Sequence, residues 1–137
     1  MMKDFLWQVR VYYEDTDSGG VVYHSNYLKF MERARTEWLR SLGFEQDALA
    51  RDKGVIFAVR SIAMEFLKPG RFNQLLDIRS QIARRGQASM TLEQTISHNA
   101  DHSVLCSGRV KLACLDAITL RPQPLPLSIS REIHRDD

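Results

Sequence analysis

The chain has 137 residues, of which 44% are hydrophobic and 26% charged, with a formal net charge of +2. That length suggests a single domain, 1–137, able to bury a core without disulfides or metals. The composition excludes a disulfide scaffold and a helical membrane span, and the small charge argues against a nucleic-acid binder.

The N-terminus, MMKDFLWQVR, lacks the apolar run of a signal peptide, and the expected location is the cytoplasm. Leu6 to Tyr13 carries Val9, Val11 and Tyr13 on alternate positions, which is strand period. The stretch EDTDSGG then breaks the strand with turn formers and two consecutive glycines. From about Ser25 to Leu42, Tyr27, Met31, Ala34, Trp38 and Leu42 recur at helical steps. Ser25 or His24 sits where an N-cap belongs, and Gly43 where a C′ residue belongs. Glu32, Arg33, Arg35, Glu37 and Arg40 read as a solvated or interface face of that helix.

A short second helix is expected over Glu45 to Lys53, ended by Gly54. Strands follow at Val55 to Leu67, Leu75 to Arg85, Ala88 to His98 and Val104 to Asp116. Turn signals at Pro69-Gly70, Gly86 and 99–102 separate them. Cys106 and Cys114 are an even number apart, so on one strand they share a face, as buried thiols would. The tail from about 121, RPQPLPLSI, is expected to be extended and irregular. His24, His98, His102 and His134 form no ligand cluster in sequence, and no metal or other cofactor is expected. The order is one strand, one long amphipathic helix and about four more strands, an α+β pattern whose simplest packing is helix on sheet.

Tyr12 to Tyr27, YYEDTDSGGVVYHSNY, concentrates the chemistry. A strand ends in an acidic turn, and a helix begins near His24. Free N–H groups and the positive end of the helix dipole there favour the oxyanion of an attacked thioester. The neighbouring carboxylate can act as nucleophile or base. A carboxylate kept ionised by the dipole is the weaker base and the readier nucleophile, which leans toward a mixed anhydride. Asp17 and Asp15 are the rival carboxylates, Asp15 otherwise reading as a turn former.

This stretch resembles the signature of the 4-hydroxybenzoyl-CoA thioesterase branch of the hotdog superfamily. VRVYYEDTDSGGVVYHSNYLKFMERARTEWLR is similar more closely to the acyl-CoA thioesterases associated with the Tol-Pal system of Gram-negative bacteria. The similarity runs from about Trp7 to Ile129, with Ser18 standing where the family often has alanine or proline. The resemblance implies a hotdog fold, an antiparallel sheet of about five strands wrapped round one long central helix. It implies acyl-CoA hydrolysis, with Asp17 as catalytic carboxylate and the His24 N–H as donor to the thioester carbonyl. Gly19, Gly20, Tyr23 and His24 would line the substrate, the His24 side chain donating a hydrogen bond or assisting as a base. From the residues alone, Arg84 and Arg85 before Gly86 make a basic turn that either grips the CoA phosphates or is simply solvated. Acyl carrier protein is an alternative thioester carrier. A homodimer or homotetramer with interfacial sites, and peripheral contact with a membrane, are further implications. The competing reading is a binding module that holds acyl-CoA or acyl carrier protein with slow turnover; a hydratase of the same fold is the other enzyme reading.

Overall fold

The computed structural model describes residues 4–133. Five strands, β1 (Phe5–Arg10), β2 (Val55–Phe66), β3 (Leu75–Arg85), β4 (Ser89–His98) and β5 (Val104–Asp116), form one sheet in the order β1-β3-β4-β5-β2. Every neighbouring pair is antiparallel. Helix α1 (His24–Ser41) has 18 residues. A short α2 (Gln46–Ala48) runs into a π-turn (Leu49–Lys53), and α3 (Leu127–Glu132) closes the described chain.

The alternation in the strands turns one row of side chains toward α1. Leu76 and Ile78 on β3, Ile96 on β4 and Cys106 on β5 are fully buried. From the helix, Tyr27, Phe30, Met31 and Ala34 pack on them. Each large apolar side chain so buried contributes roughly 1.5–3 kcal/mol. Gly108 on β5 lets the helix come this close. A Cβ there would lie 3.3 Å from both Met31 Sδ and Met64 Cγ.

The packed interior also contains a polar thread. Arg35 is buried and donates from Nη1 to Gln94 Oε1 at 3.0 Å. Gln94 Nε2 donates to the Met31 carbonyl at 3.0 Å and to Ser80 Oγ at 2.9 Å. Arg35 is therefore not part of a solvated helix face. Its stem crosses the helix–sheet junction to reach the amide, and burial lowers the proton affinity of its guanidinium.

Four other boundaries depart from the sequence reading. The first strand ends at Arg10, because Asp15 Oδ2 accepts the Tyr12 N–H at 2.8 Å and curls Tyr13–Asp15 into a 3₁₀ turn. Helix α1 is capped by Tyr23, not by Ser25 or His24, since Asn26 N–H already bonds the Tyr23 carbonyl at 2.8 Å. The second helix is one α-turn followed by the π-turn, ending at Gly54. The tail is not irregular throughout: α3 puts Ile129 and, just beyond, Ile133 into the core beside Leu125. Those isoleucines are four apart, a helical step that the preceding prolines conceal.

The polar thread gives a stability test. Gln94→Leu leaves the Arg35 guanidinium buried without an acceptor among the described residues and should cost about 3 kcal/mol in urea unfolding. Adding Arg35→Met should recover at least about half of that loss. Simple additivity of the two costs would show that no such coupling exists.

The alkaline limb of stability should also be steep. Burial pushes the Cys106 and Cys114 thiols up to about 11, and Tyr27 is raised as well, chiefly by burial. A raised folded-state value means that the contribution is complete below the unfolded thiol value near 9 and is lost as pH rises through about 11. The urea midpoint should be flat up to pH 9 and fall from there to 11. Replacing both cysteines by alanine should flatten most of that fall, leaving the part due to Tyr27.

Candidate active site

The acidic loop between β1 and α1 is tied down by Asp15, which does more than form a turn. Asp15 is buried, and its two oxygens divide the work. Oδ1 accepts from Asn26 Nδ2 at 2.9 Å, inside the first turn of α1, and Oδ2 accepts from the Tyr12 N–H at 2.8 Å. Its own carbonyl accepts the Tyr23 N–H at 2.9 Å. One residue therefore joins the end of the first strand to the start of the helix, with both oxygens of its buried carboxylate engaged inside the fold.

Asp17 is arranged differently. It is exposed, and only Oδ1 is engaged, by the N–H groups of Gly19 at 2.9 Å and Val21 at 3.4 Å. Oδ2 accepts no hydrogen bond from the described residues. The segment 17–21 is a tight turn: Asp17 N–H donates to the Val21 carbonyl and Gly20 N–H to the Asp17 carbonyl. Gly20 has φ +79°, a conformation costly for a side chain. Short bridges pair Thr16 with Val22 and Val21 with Arg71. The Val22 N–H donates to the Gly70 carbonyl at 2.8 Å, while Gly70 N–H donates to the Tyr27 hydroxyl oxygen at 2.9 Å. The turn is thus fastened to α1 on one side and to the β2–β3 connection on the other.

Helix α1 opens beside this turn with no side-chain cap at Tyr23. The first N–H groups of the helix have no intrahelical partner and keep their donor capacity. Around them lies an aromatic cluster. The Tyr23 and His24 rings are 4.5 Å apart, His24 meets Phe66 edge-on at 6.2 Å, and Phe66 lies 5.7 Å from Tyr27. Phe66 comes from the end of β2, some forty residues along the chain. No local pattern in the sequence points to it.

The structure groups Asp17, Gly19, Gly20, Tyr23 and His24 in one place. Arg84 and Arg85 are not brought to it within the protomer. They end β3, whose opposite end, Leu75, follows the Arg71 bridge to the turn. The intervening strand is about 30 Å long. Arg84 lines a cleft of about 380 Å³ with Arg109, Lys111, Ser61, Ser89 and Thr91. Arg109 is also paired with Glu93 at 2.8 Å. Arg85 points elsewhere, toward the Ser130 carbonyl at 3.5 Å. Among the described residues no group of three or more His, Cys, Asp or Glu side chains is placed to hold a metal ion, and His134 lies outside the described residues.

Comparison with known proteins places these features in a wider context. Residues 11–133 match the family described as the thioesterase-like superfamily. The chain is 44% identical over 128 residues to the acyl-CoA thioester hydrolase YbgC of Escherichia coli O6:H1, covering 93% of this chain and 94% of that protein. It is 38% identical to the acyl-CoA thioesterase YbgC of Haemophilus influenzae, covering 95% and 94%. The crystal structure of a probable thioesterase from Bartonella henselae superposes with a TM-score of 0.85 at 38% identity, covering 90% of this chain and all of that one.

The two aspartates should separate cleanly in stability. Asp15→Ala leaves the Asn26 amide and the Tyr12 N–H without their acceptor and should cost about 2–3 kcal/mol in urea unfolding. Asp17→Asn, on the exposed turn, should change stability by less than about 0.5 kcal/mol. Equal costs at the two positions would contradict the division of roles drawn from their hydrogen bonds.

Proposed function

The chain belongs to the thioesterase-like superfamily and is a hotdog-fold acyl-CoA thioester hydrolase, and on that premise we propose that Asp17 is the carboxylate that carries out the hydrolysis. The observation that carries this reading is the half-engaged Asp17 side chain. Oδ1 is held by two backbone N–H groups while Oδ2 stays open, so the group is oriented and available together. Asp15, its rival, has both oxygens committed to structure.

In the proposed reaction the thioester carbonyl lies against the uncapped start of α1. The His24 N–H takes the growing negative charge on the carbonyl oxygen. Asp17 Oδ2 attacks the carbonyl carbon, the C–S bond breaks, and CoA leaves as thiolate. Water then hydrolyses the mixed anhydride, returning the carboxylate and releasing the free acid. In the general-base variant the same oxygen takes a proton from water, and water is the attacking group. The Tyr23 and His24 rings flank the reacting group, the His24 side chain donating a hydrogen bond or assisting as a base. Gly19 and Gly20 allow the thioester to approach the turn. The basic cleft at Arg84, with Lys111 beside it, supports a phosphate site for the CoA nucleotide; Arg85, turned toward the Ser130 carbonyl, is left out of it.

The hotdog arrangement, with the sheet wrapped round α1 as the central helix of one domain, leaves β2 at the margin of the sheet. We infer a homodimer formed along that margin, the long edge with unpaired backbone groups and apolar side chains. No helix among the described residues is long and apolar enough to cross a membrane, which fits the reading of a cytoplasmic enzyme.

The test follows thiol release from acyl-CoA of short aliphatic, long-chain and hydroxybenzoyl type. Asp17→Asn should lower kcat about a thousandfold with the fold intact. After a single turnover in ¹⁸O-water, label in the Asp17 carboxylate requires the anhydride, with water attacking its Asp17 carbon. Wild-type rates in Asp17→Asn would sink the assignment. A wild type inactive on every CoA ester but active on acyl carrier protein would change the carrier; inactivity on both would favour the binding module.

A further inference from the structure

The turn that follows β5 holds two apolar side chains in solvent by force. Ile118 is 91% exposed and Leu120 59%. Leu120 sits at φ +60°, a region that L side chains rarely adopt. Asp116 Oδ1 accepts the N–H groups of both Ile118 and Thr119, and the Asp116 carbonyl accepts that of Leu120. A rigid turn that stores strain in order to expose isoleucine and leucine calls for something to cover them.

Symmetry supplies the candidate. Strand β2 is a sheet margin of 12 residues, while β1, the other margin, has 6. Val59, Ile62 and Phe66 are exposed along β2. A two-fold axis normal to the sheet, which keeps both helices on one face, pairs β2 with its copy antiparallel. Pairing over the whole strand centres the axis near Arg60, where the ladder to β5 is already interrupted. Val55 of one copy then lies beside Phe66 of the other. The turn travels with Val55, because Ala117 N–H donates to the Gly54 carbonyl at 2.8 Å. It therefore arrives two strands away, about 10 Å, from the Phe66 that touches His24. Lys53 and Arg121 border the turn, and Glu14 and Asp17 are exposed in the loop it meets, with Arg71 bridged beside them.

We propose that this turn completes the site of the opposite copy, Ile118 and Leu120 forming an apolar wall against which the acyl-CoA lies. The inference rests on the reading of Asp17 above, and its test keeps the two apart. Tandem-tagged heterodimers carry Asp17→Asn on one copy and Ile118→Asp with Leu120→Asp on the other. One site then has both an intact carboxylate and an intact wall, so the heterodimer should run at about half the wild-type rate while both parent homodimers are impaired. The reversed heterodimer, wild type with a copy carrying all three substitutions, has no whole site and should be impaired. The opposite pattern, an active reversed pair and no rescue, would mean that the turn serves its own copy and would overturn the proposal. Ile118→Ala, a milder variant, should raise KM about fivefold with kcat within about twofold; an unchanged KM, or a monomeric wild type by sedimentation, overturns it too. Should Asp17→Asn homodimers keep wild-type activity, it is the Asp17 reading that fails.

Discussion

Everything at the candidate site depends on the buried carboxylate of Asp15. It binds the Asn26 amide in α1 and the Tyr12 N–H at the end of the first strand, and its carbonyl takes the N–H of Tyr23. These bonds tie the loop directly to the helix start, while the Val22–Gly70–Tyr27 bonds tie it to the β2–β3 connection. A buried carboxylate whose oxygens both accept hydrogen bonds is stable only while those donors stay in place, so the geometry is all-or-none. Four hydrogen bonds meet at this one residue, the fourth from its own N–H to the Tyr12 carbonyl.

A second constraint works on the other side of α1. The helix is pressed on the sheet closely enough that a Cβ at residue 108 would crowd Met31 and Met64. The Arg35–Gln94–Ser80 thread crosses the same junction. Apolar packing alone tolerates sliding and rotation of a helix on a sheet. A directional bond from Gln94 to the Met31 carbonyl does not, because it must meet one atom of one turn. The helix start is thereby fixed in azimuth and height, and so is the ring of His24 relative to Phe66.

Much of this was legible in the sequence. The steps between Tyr27, Met31, Ala34 and Trp38 mark α1, and the limits of β3 and β5 agree with those read from their β-forming runs and turn residues. The two cysteines are indeed buried free thiols. What escaped has a common physical origin. Asp15 and Asn26, Arg35 and Gln94, Phe66 and His24 are partners far apart in the chain, and no periodicity encodes a pairwise meeting. Arg35 looks like its neighbours Arg33 and Arg40 until the sheet brings Gln94 under it. The helix at Leu127–Glu132 was hidden by the prolines before it, whose stiffness ends at Pro126, the residue that caps it.

The pattern of two aspartates with one residue between them can be understood from these constraints. Residues two apart in extended chain point to the same side. With Asp15 turned inward to hold the loop, a carboxylate at position 17 has a different environment only if the backbone turns sharply after it. The turn at 17–21 does this and at the same time supplies the Gly19 and Val21 N–H groups that grip one of its oxygens. Two identical functional groups, two residues apart, are thus given unlike surroundings: one inside with both oxygens bonded, one outside with a single oxygen bonded. The glycine pair follows from the same demand. Gly20 takes the positive φ of the turn, and Gly19 lies so near the carboxylate that a Cβ would sit 3.2 Å from Asp17 Oδ1. A side chain at either position would disturb the orientation of the one oxygen that the turn holds, and through it the direction in which the other is offered.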